Sequence, residues 1–389
     1  MHEPDPGRHA GSCESTMSMI RRSALAILAA ALAIAGCGPT HSERYQRKQA
    51  QKSLSRLETP GVVVGEFTVS KVTDGDTLRV DGLDSALRLL GIDCEETFKN
   101  EGDRRLAESA DWATYLETKR GGKKRPVKIA SPLGEQAKVF GKKFFEDAPV
   151  VRVERDDPRQ IRDRFDRYLA YVFAKKNGVW LNYNVEVVRA GMSPYYAKYG
   201  YSIRFHDEFV AAEKEARAAQ RGIWAPDAMA AKDYDERHVW WDARGDFIRA
   251  WNKAAEGKPD HLLIDQWDIT TRLEQFVGRE VTLLGTIGEI RFGDRGPTRV
   301  MMSRRMFSDL PLIFWDKDVF VASGVADWKG EYISVTGTVA IYENKHNRRK
   351  QLQIVIDRPS QIRLSPIPGL TLPEAPVATP AAAAAESRP

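Results

Sequence analysis

Hydrophobic positions along the chain change their period several times, and each change marks an element. Residues 24–35 form an unbroken run of twelve apolar side chains. From residue 62 short β-rich stretches take over, at 62–64, 67–69, 77–80 and 86–90, with an Asp81-Gly82 turn before the last. This is the pattern of a meander of short strands with tight turns. Ser131-Pro132 has the form of a helix start, with proline at the first helical position. A helix over 131–144 places Leu133, Ala137, Phe140 and Phe144 on one face, at spacings of four, three and four. Strands are expected at 150–154 and 168–173, and helices at 182–190 and 206–221, with Gly222 as a C-cap. About five strands with helices among and after them predict a small barrel with packed helices over 61–226. Residues 227–278 read as a helical linker whose Trp240, Trp241, Phe247 and Trp251 recur at helical spacing, the mark of a core-facing stripe. From residue 279 strands resume at 281–290, 300–303, 312–315, 332–342 and 352–356. They fit a second small, OB-like β-barrel over 279–365. Residues 366–389 hold six prolines and seven alanines, the composition of a disordered tail.

At 389 residues the chain is long enough for two or three domains. Its 42% hydrophobic and 29% charged content excludes a polytopic membrane protein, a wholly disordered chain and a fibrous repeat. The net formal charge of +5 permits a polyanionic partner without requiring one. The apolar run at 24–35 is too short to cross a bilayer core as a helix, which takes ~20 residues. Behind Arg21-Arg22 it fits the hydrophobic part of an export signal over 1–37. Ile34-Ala35-Gly36-Cys37 then resembles a bacterial lipobox, in which Cys37 becomes the lipidated first residue of the mature chain. An ordinary signal peptide with Cys37 as a bystander is the alternative. The polar stretch before Met17 is out of place ahead of a signal, so translation is expected to start at Met17 or Met19. The polar residues 38–60 would tether the body to a membrane. The expected location is the cell envelope, and Gly38 after the lipidated cysteine favours the outer membrane. Three cysteines, Cys13, Cys37 and Cys94, are too few for a disulfide framework.

Candidate chemistry gathers in the first barrel. Asp74-Gly75-Asp76-Thr77 is an acidic turn that feeds a strand, and Asp93-Cys94-Glu95-Glu96 closes the strand carrying Arg88. Asp76, Arg88, Asp93 and Glu96 lie within 21 residues of a compact meander. Carboxylates that converge in this way need a cation, and hard oxygen ligands suit Ca²⁺ or Mg²⁺. Arginine beside them suits a phosphate whose charge grows in the transition state. Surface ion pairs are the alternative for any one of these residues. The run from Lys119 to Arg125 holds five cations in seven residues, inside an insertion over 98–130. It reads either as a solvated loop or as a flap that contacts phosphate.

Three ordered segments, Thr73-Asp74-Gly75-Asp76-Thr77, Leu87-Arg88-Leu89-Leu90-Gly91-Ile92-Asp93 and Glu96-Thr97, resemble the staphylococcal nuclease family. Gly134-Glu135-Gln136-Ala137, the run from Asp163 to Tyr171 that contains Arg167, and the closing Gly222-Ile223-Trp224 extend the resemblance over about 61–224. It implies an OB-fold barrel that hydrolyses DNA and RNA with Ca²⁺ and leaves 3′-phosphate products. It implies that Asp76 and Asp93 hold the metal through their side chains and Cys94 through its backbone carbonyl. Glu96 would position or deprotonate the attacking water, and Arg88 and Arg167 would grip the phosphate. Tyrosines in the region of Tyr196 and Tyr199 would stack on the nucleotide.

Two positions depart from the family pattern, which commonly has threonine or alanine and then proline between the aspartate and the glutamate. Here Cys94 and Glu95 stand there. A backbone ligand survives the first change. The second is expected to loosen the loop that carries Glu96 and to add negative charge beside the metal. The function expected from all of this is an exported, lipid-anchored, metal-dependent nuclease acting on DNA or RNA. The alternatives are a catalytically inactive nucleic-acid-binding lipoprotein and an envelope interaction lipoprotein. No protein partner is read from the sequence.

Overall fold

The computed structural model describes residues 61–368 apart from 124, 304–308 and 346. Residues 1–60, with the expected export signal, Cys37 and the expected tether, and residues 369–389 lie outside the described residues.

Short strands rich in branched and aromatic residues close the first barrel. They are β1 (Val63–Val72), β2 (Thr77–Val80), β3 (Leu87–Leu89), β4 (Val150–Glu154) and β5 (Tyr168–Lys176). β1 pairs antiparallel with β2 and β4, β4 with β5, and β3 runs parallel to β5, which closes the sheet. The two stretches at 62–64 and 67–69 are one strand, and a register shift between Val69 and Lys71 lets it serve two neighbours. Alternation sends Leu78, Leu87, Leu89, Val151, Val153, Ala170 and Val172 into the barrel. Each leucine and valine among them contributes ~1.5–3 kcal/mol on burial. β6 (Val179–Asn182) extends the sheet beside β5 as a hairpin.

A parallel β3–β5 pair needs a long crossover, and the crossover here is more structured than the sequence showed. The insertion over 98–130 holds two helices, α1 (Glu101–Ser109) and α2 (Trp112–Arg120). Their N-caps are Asn100 and Asp111, whose side chains accept from Asp103 N and Thr114 N. α3 (Pro132–Glu146) starts at Ser131, as expected, with the serine side chain accepting from Gly134 N. Its buried seam is Leu133, Ala137, Gly141 and Phe145 rather than the predicted one through Phe140 and Phe144. Gly141 is the reason: a Cβ there would stand 2.6 Å from Tyr183 Oη, so the bare backbone admits that ring to the seam. α4 (Tyr183–Arg189) and α5 (His206–Ala218) follow. α5 is capped by Ala219, not Gly222. Gly222 instead has φ +54° and lies against Gly191, where a Cβ would meet Gly191 O at 2.1 Å.

α6 (Tyr234–Ala255) leads to β7 (His261–Leu263) and α7 (Ile269–Glu274). The second sheet adds β8 (Glu280–Arg291), β9 (Thr298–Ser303), β10 (Leu310–Phe314), β11 (Tyr332–Glu343), β12 (Lys350–Val355) and β13 (Ile362–Leu364). Its order is β13-β11-β12-β10-β9-β8-β7, and β11 pairs with β8 to close a second five-strand barrel. Leu283, Val300, Leu312, Ile333, Val335 and Ile354 form its core, and Ile367 joins them.

α6 packs on both barrels. Its Phe247 and Ile248 lie against Leu284 and Tyr332 of the second barrel. On the other side Arg244 Nε donates to Lys198 O at 2.9 Å, and Trp241 meets Tyr196 edge-on at 4.9 Å between ring centroids. Trp241 and Phe247 are core, as the aromatic stripe implied, whereas Trp240 is only half-buried.

Candidate active site

The register of the first barrel builds the site. Thr77 lies opposite Arg88 across β2 and β3, and Leu89 N donates to Asp76 O at 3.0 Å. Asp76 is thereby carried to the end of the strand pair where Arg88 leaves it. The Asp74 turn holds this end, with Asp76 N donating to Asp74 Oδ1 at 3.1 Å. Gly75 is needed there, because a Cβ would sit 2.5 Å from Cys94 Sγ.

Arg88 ties the acids together. Its Nη1 pairs with Asp76 Oδ2, and its Nη2 reaches Asp93 Oδ1 at 2.8 Å and Ile92 O at 3.1 Å. Asp76 also accepts from Cys94 N at 3.2 Å and from Thr77 Oγ1 at 2.9 Å. Asp93 N donates to Ser193 Oγ at 2.9 Å, which fixes the far side of the turn. Burial opposes ionisation of Asp76, but Arg88 and Lys128 outweigh it and hold the carboxyl down at about 2. Asp74 is pushed up to about 6 by burial and by the negative charge of Asp76. Burial and the nearby acids push the Cys94 thiol up, so it is no nucleophile.

Glu96 stands beside this group rather than within it. Lys128 Nζ joins the two, at 2.7 Å from Asp93 Oδ1 and 3.6 Å from Glu96 Oε1, while Lys99 holds Glu96 Oε2 at 2.9 Å. The loop is pinned by Glu96 N donating to Ile129 O and Ser131 N donating to Glu96 O, at 2.8 and 3.1 Å. α3 can come this close because Gly134 faces Glu96 O, where a Cβ would stand at 2.2 Å.

Glu95 corrects the expectation of a loosened loop. It turns away from the acids and is buried, accepting from Ser131 Oγ, from Ala231 N at 2.6 Å and from Tyr234 Oη at 2.7 Å. A carboxylate in place of proline ties the Glu96 loop to the start of α3 and to α6. Burial pushes its pKa up despite these donors.

Arg167 is held elsewhere: Nε and Nη2 pair with Asp163 Oδ2 at 2.8 and 2.7 Å, and the guanidinium touches none of Asp76, Arg88 or Asp93. The parallel register sets Arg88 opposite Leu169, so Arg167, two residues upstream, lies on the same side of the strand line as Arg88. Tyr196 adjoins the acids. Burial and the charge of Asp93 push its hydroxyl pKa well up. Tyr199 is exposed and meets Tyr196 edge-on.

Three cations of the basic run are tied into the fold, while Lys123 is exposed. Lys119 pairs with Asp103 at 2.6 Å, Arg120 with Glu236 at 2.8 Å, and Arg125 with Glu331. Sequence spacing carried no sign of Lys128, which lies 35 positions from the aspartate it holds. Nor did it mark Lys198 or Glu331, and it read Trp240 as core; the packing of α6 brings the three near.

The donor chemistry fits a hard dication: Asp76, Asp93 and Glu96 offer carboxylate oxygens. The ammonium of Lys128, shared by Asp93 and Glu96, marks where positive charge is wanted. Among the described residues no three His, Cys, Asp or Glu side chains stand ready as a cage. Arg88 and Lys128 supply the counter-charge instead.

The first barrel is thus a closed five-strand OB-fold with a guanidinium bridging two buried aspartates at one end. Residues 86–226 match the family model described as staphylococcal nuclease homologue. The chain is 30% identical over 164 residues to a thermonuclease of Staphylococcus intermedius, covering 41% of this chain and 75% of that one. It is also 30% identical over 159 residues to an uncharacterized protein of Methanocaldococcus jannaschii, covering 40% and 70%. The chain belongs to the staphylococcal nuclease homologue family.

Proposed function

We propose that this protein is an exported, lipid-anchored nuclease that hydrolyses phosphodiester bonds of DNA or RNA with a divalent cation, Ca²⁺ first among them. The observation that carries the reading is Arg88 held between Asp76 and Asp93. Asp76, Asp93 and the backbone carbonyl of Cys94 would hold the ion, which when bound neutralises phosphate charge and acidifies water.

The chain's own residues do the rest. A phosphodiester is anionic and repels hydroxide. The Arg88 guanidinium offers a planar fork that meets two phosphate oxygens, which an ammonium cannot do. Both ends of that fork are held by Asp76 and Asp93, so Arg88 reaches the phosphate by releasing these carboxylates as they take up the ion. Glu96, at the edge of the acid group, would orient an attacking water or take its proton. Arg167 joins by exchanging Asp163 for a phosphate oxygen. Tyr196 and Tyr199 offer rings to a base. Cleavage leaves a 3′-phosphate. Cys37 carries the lipid, and 38–60 spaces the barrels from the membrane, with the outer one favoured.

The test is incubation of the full chain with single- and double-stranded DNA and with RNA, in Ca²⁺, Mg²⁺ or Mn²⁺, with and without EDTA. The expected result is chelator-sensitive cleavage to 3′-phosphate ends. No cleavage with any of the three ions would leave a nucleic-acid-binding lipoprotein.

A further inference from the structure

Trp240 of α6 stands in a cluster of cations that the acid group does not account for. Lys198 Nζ lies 4.6 Å from its ring centroid, and the guanidiniums of Arg125 and Arg244 lie at 5.5 Å each. One carboxylate serves this cluster. Glu331, fully buried, accepts from Arg125, from Arg244 and from Trp240 Nε1 at 3.3 Å. Asp93, the other acid whose charge Lys198 feels, already carries Arg88 and Lys128.

Both carboxylates near Lys198 are therefore committed to two cations apiece, and Lys198 has no ion-pair partner among the described residues. Arg244, with no exposed surface, leaves Nη2 without an acceptor. Arg244 is buried while Lys198 is half-buried and Arg125 partly exposed, so an anion reaching Lys198 from solvent would complete a group in which positive charge is only partly balanced. Burial and the charge of Arg244 pull Lys198 down to about 8, the response of an ammonium that lacks its counter-ion.

We propose that Lys198, seated on Trp240, is a second anchor for the substrate: it receives a backbone phosphate next to the one that Arg88 grips. The proposal rests on the nuclease reading. It adds that α6 and the second barrel build one wall of the cleft, since Trp240 and Glu331 set the lysine in place. Lys198 carries no base-reading geometry, so it strengthens binding to any sequence alike.

The experiment compares full-length K198M and K198R with the parent chain. Methionine keeps an apolar stem on Trp240, and arginine keeps the charge. Affinity for a labelled single-stranded oligonucleotide is read by fluorescence anisotropy in EDTA over a salt series. K198M is expected to bind about tenfold more weakly at low salt. Its log–log salt slope should fall by ~0.7, one phosphate contact on a single strand. K198R should stay near the parent. In hydrolysis KM should rise by about the same factor, with kcat falling less. Unchanged affinity and slope in K198M would overturn the proposal. As a second reading, oligonucleotide should alter tryptophan emission in the parent and not in W240F, and an equal response in W240F would also overturn it. If the parent binds through Lys198 but cuts nothing, the subsite stands and the nuclease reading falls.

Discussion

Removing the Glu95 carboxylate should unfasten the loop that carries Glu96. In the folded chain three donors point at this one group: Ser131 Oγ, Ala231 N and Tyr234 Oη, all on buried residues. Glu95→Ala leaves them without an acceptor. Each stranded buried donor costs ~1–3 kcal/mol. The carboxylate itself is costly to bury, as its raised pKa shows, and its loss returns part of that cost. The net expectation is a loss of about 3–5 kcal/mol, a large share of the ~5–15 kcal/mol that holds a typical domain. Glu95→Gln keeps an acceptor oxygen and should lose about 1–2 kcal/mol. The effect should be local as well as global, because Ala231 N donates to Glu95 and Glu96 N donates to Ile129 O in the same loop. Urea unfolding gives the stability change. Hydrogen exchange at the amides of Glu96 and Ala231 gives the local one, and both amides should exchange faster in E95A. Turnover should fall further than the unfolded fraction explains, since Glu96 follows directly in the chain. E95A with an unmoved urea midpoint, unchanged exchange at both amides and normal turnover would show that the loop needs no such tie.

Three more outcomes follow from the geometry. Arg167→Ala should lower turnover by ~10²–10³ with the fold retained, and Arg88→Ala by at least as much with some loss of stability because it strands Asp76, measured by steady-state hydrolysis and circular dichroism; near-normal rates would remove that arginine from the reaction. Asp265 sits at about 6 because burial disfavours its charge, so its carboxyl is protonated in the native chain at pH values where the unfolded chain has already ionised. The sign follows: the unfolded state binds fewer protons, and stability falls as pH rises from about 4 to about 6. The stability gap between D265N and the parent should move by about 2–3 kcal/mol in favour of D265N over that window and stay flat above it, as urea midpoints at several pH values would show. Glu331→Gln leaves Arg244, which has no exposed surface, without its charge partner and should cost about 3–5 kcal/mol in thermal unfolding. E331Q combined with R244M should recover much of that loss.

Local pattern was enough to read the two barrels. Strand periodicity, the Ser131-Pro132 start and the Asp81-Gly82 turn act over a few residues, and the backbone obeys them wherever nothing opposes. α2 escaped because it has little apolar periodicity. The helix is held by Asp111 at its start and by Trp112 and Leu116 packing beneath α6. The α3 seam was misread by one position because spacing cannot tell which of two aromatic faces a partner leaves room for; Tyr183, arriving over Gly141, made the choice.

The acids and Arg88 were legible because they lie on neighbouring strands within 21 residues, where a short-range register decides who meets whom. Glu95, Lys128, Lys198 and Trp240 were not. Their partners lie from 35 to 139 positions away, at Asp93 for Lys128 and at Tyr234 for Glu95. Charge on a side chain says that a partner or solvent is required, and says nothing of which. That choice fell to the packing of α6 against both barrels, which turned an apparent surplus acid into a tether and an ordinary lysine into a cation lacking a counter-charge.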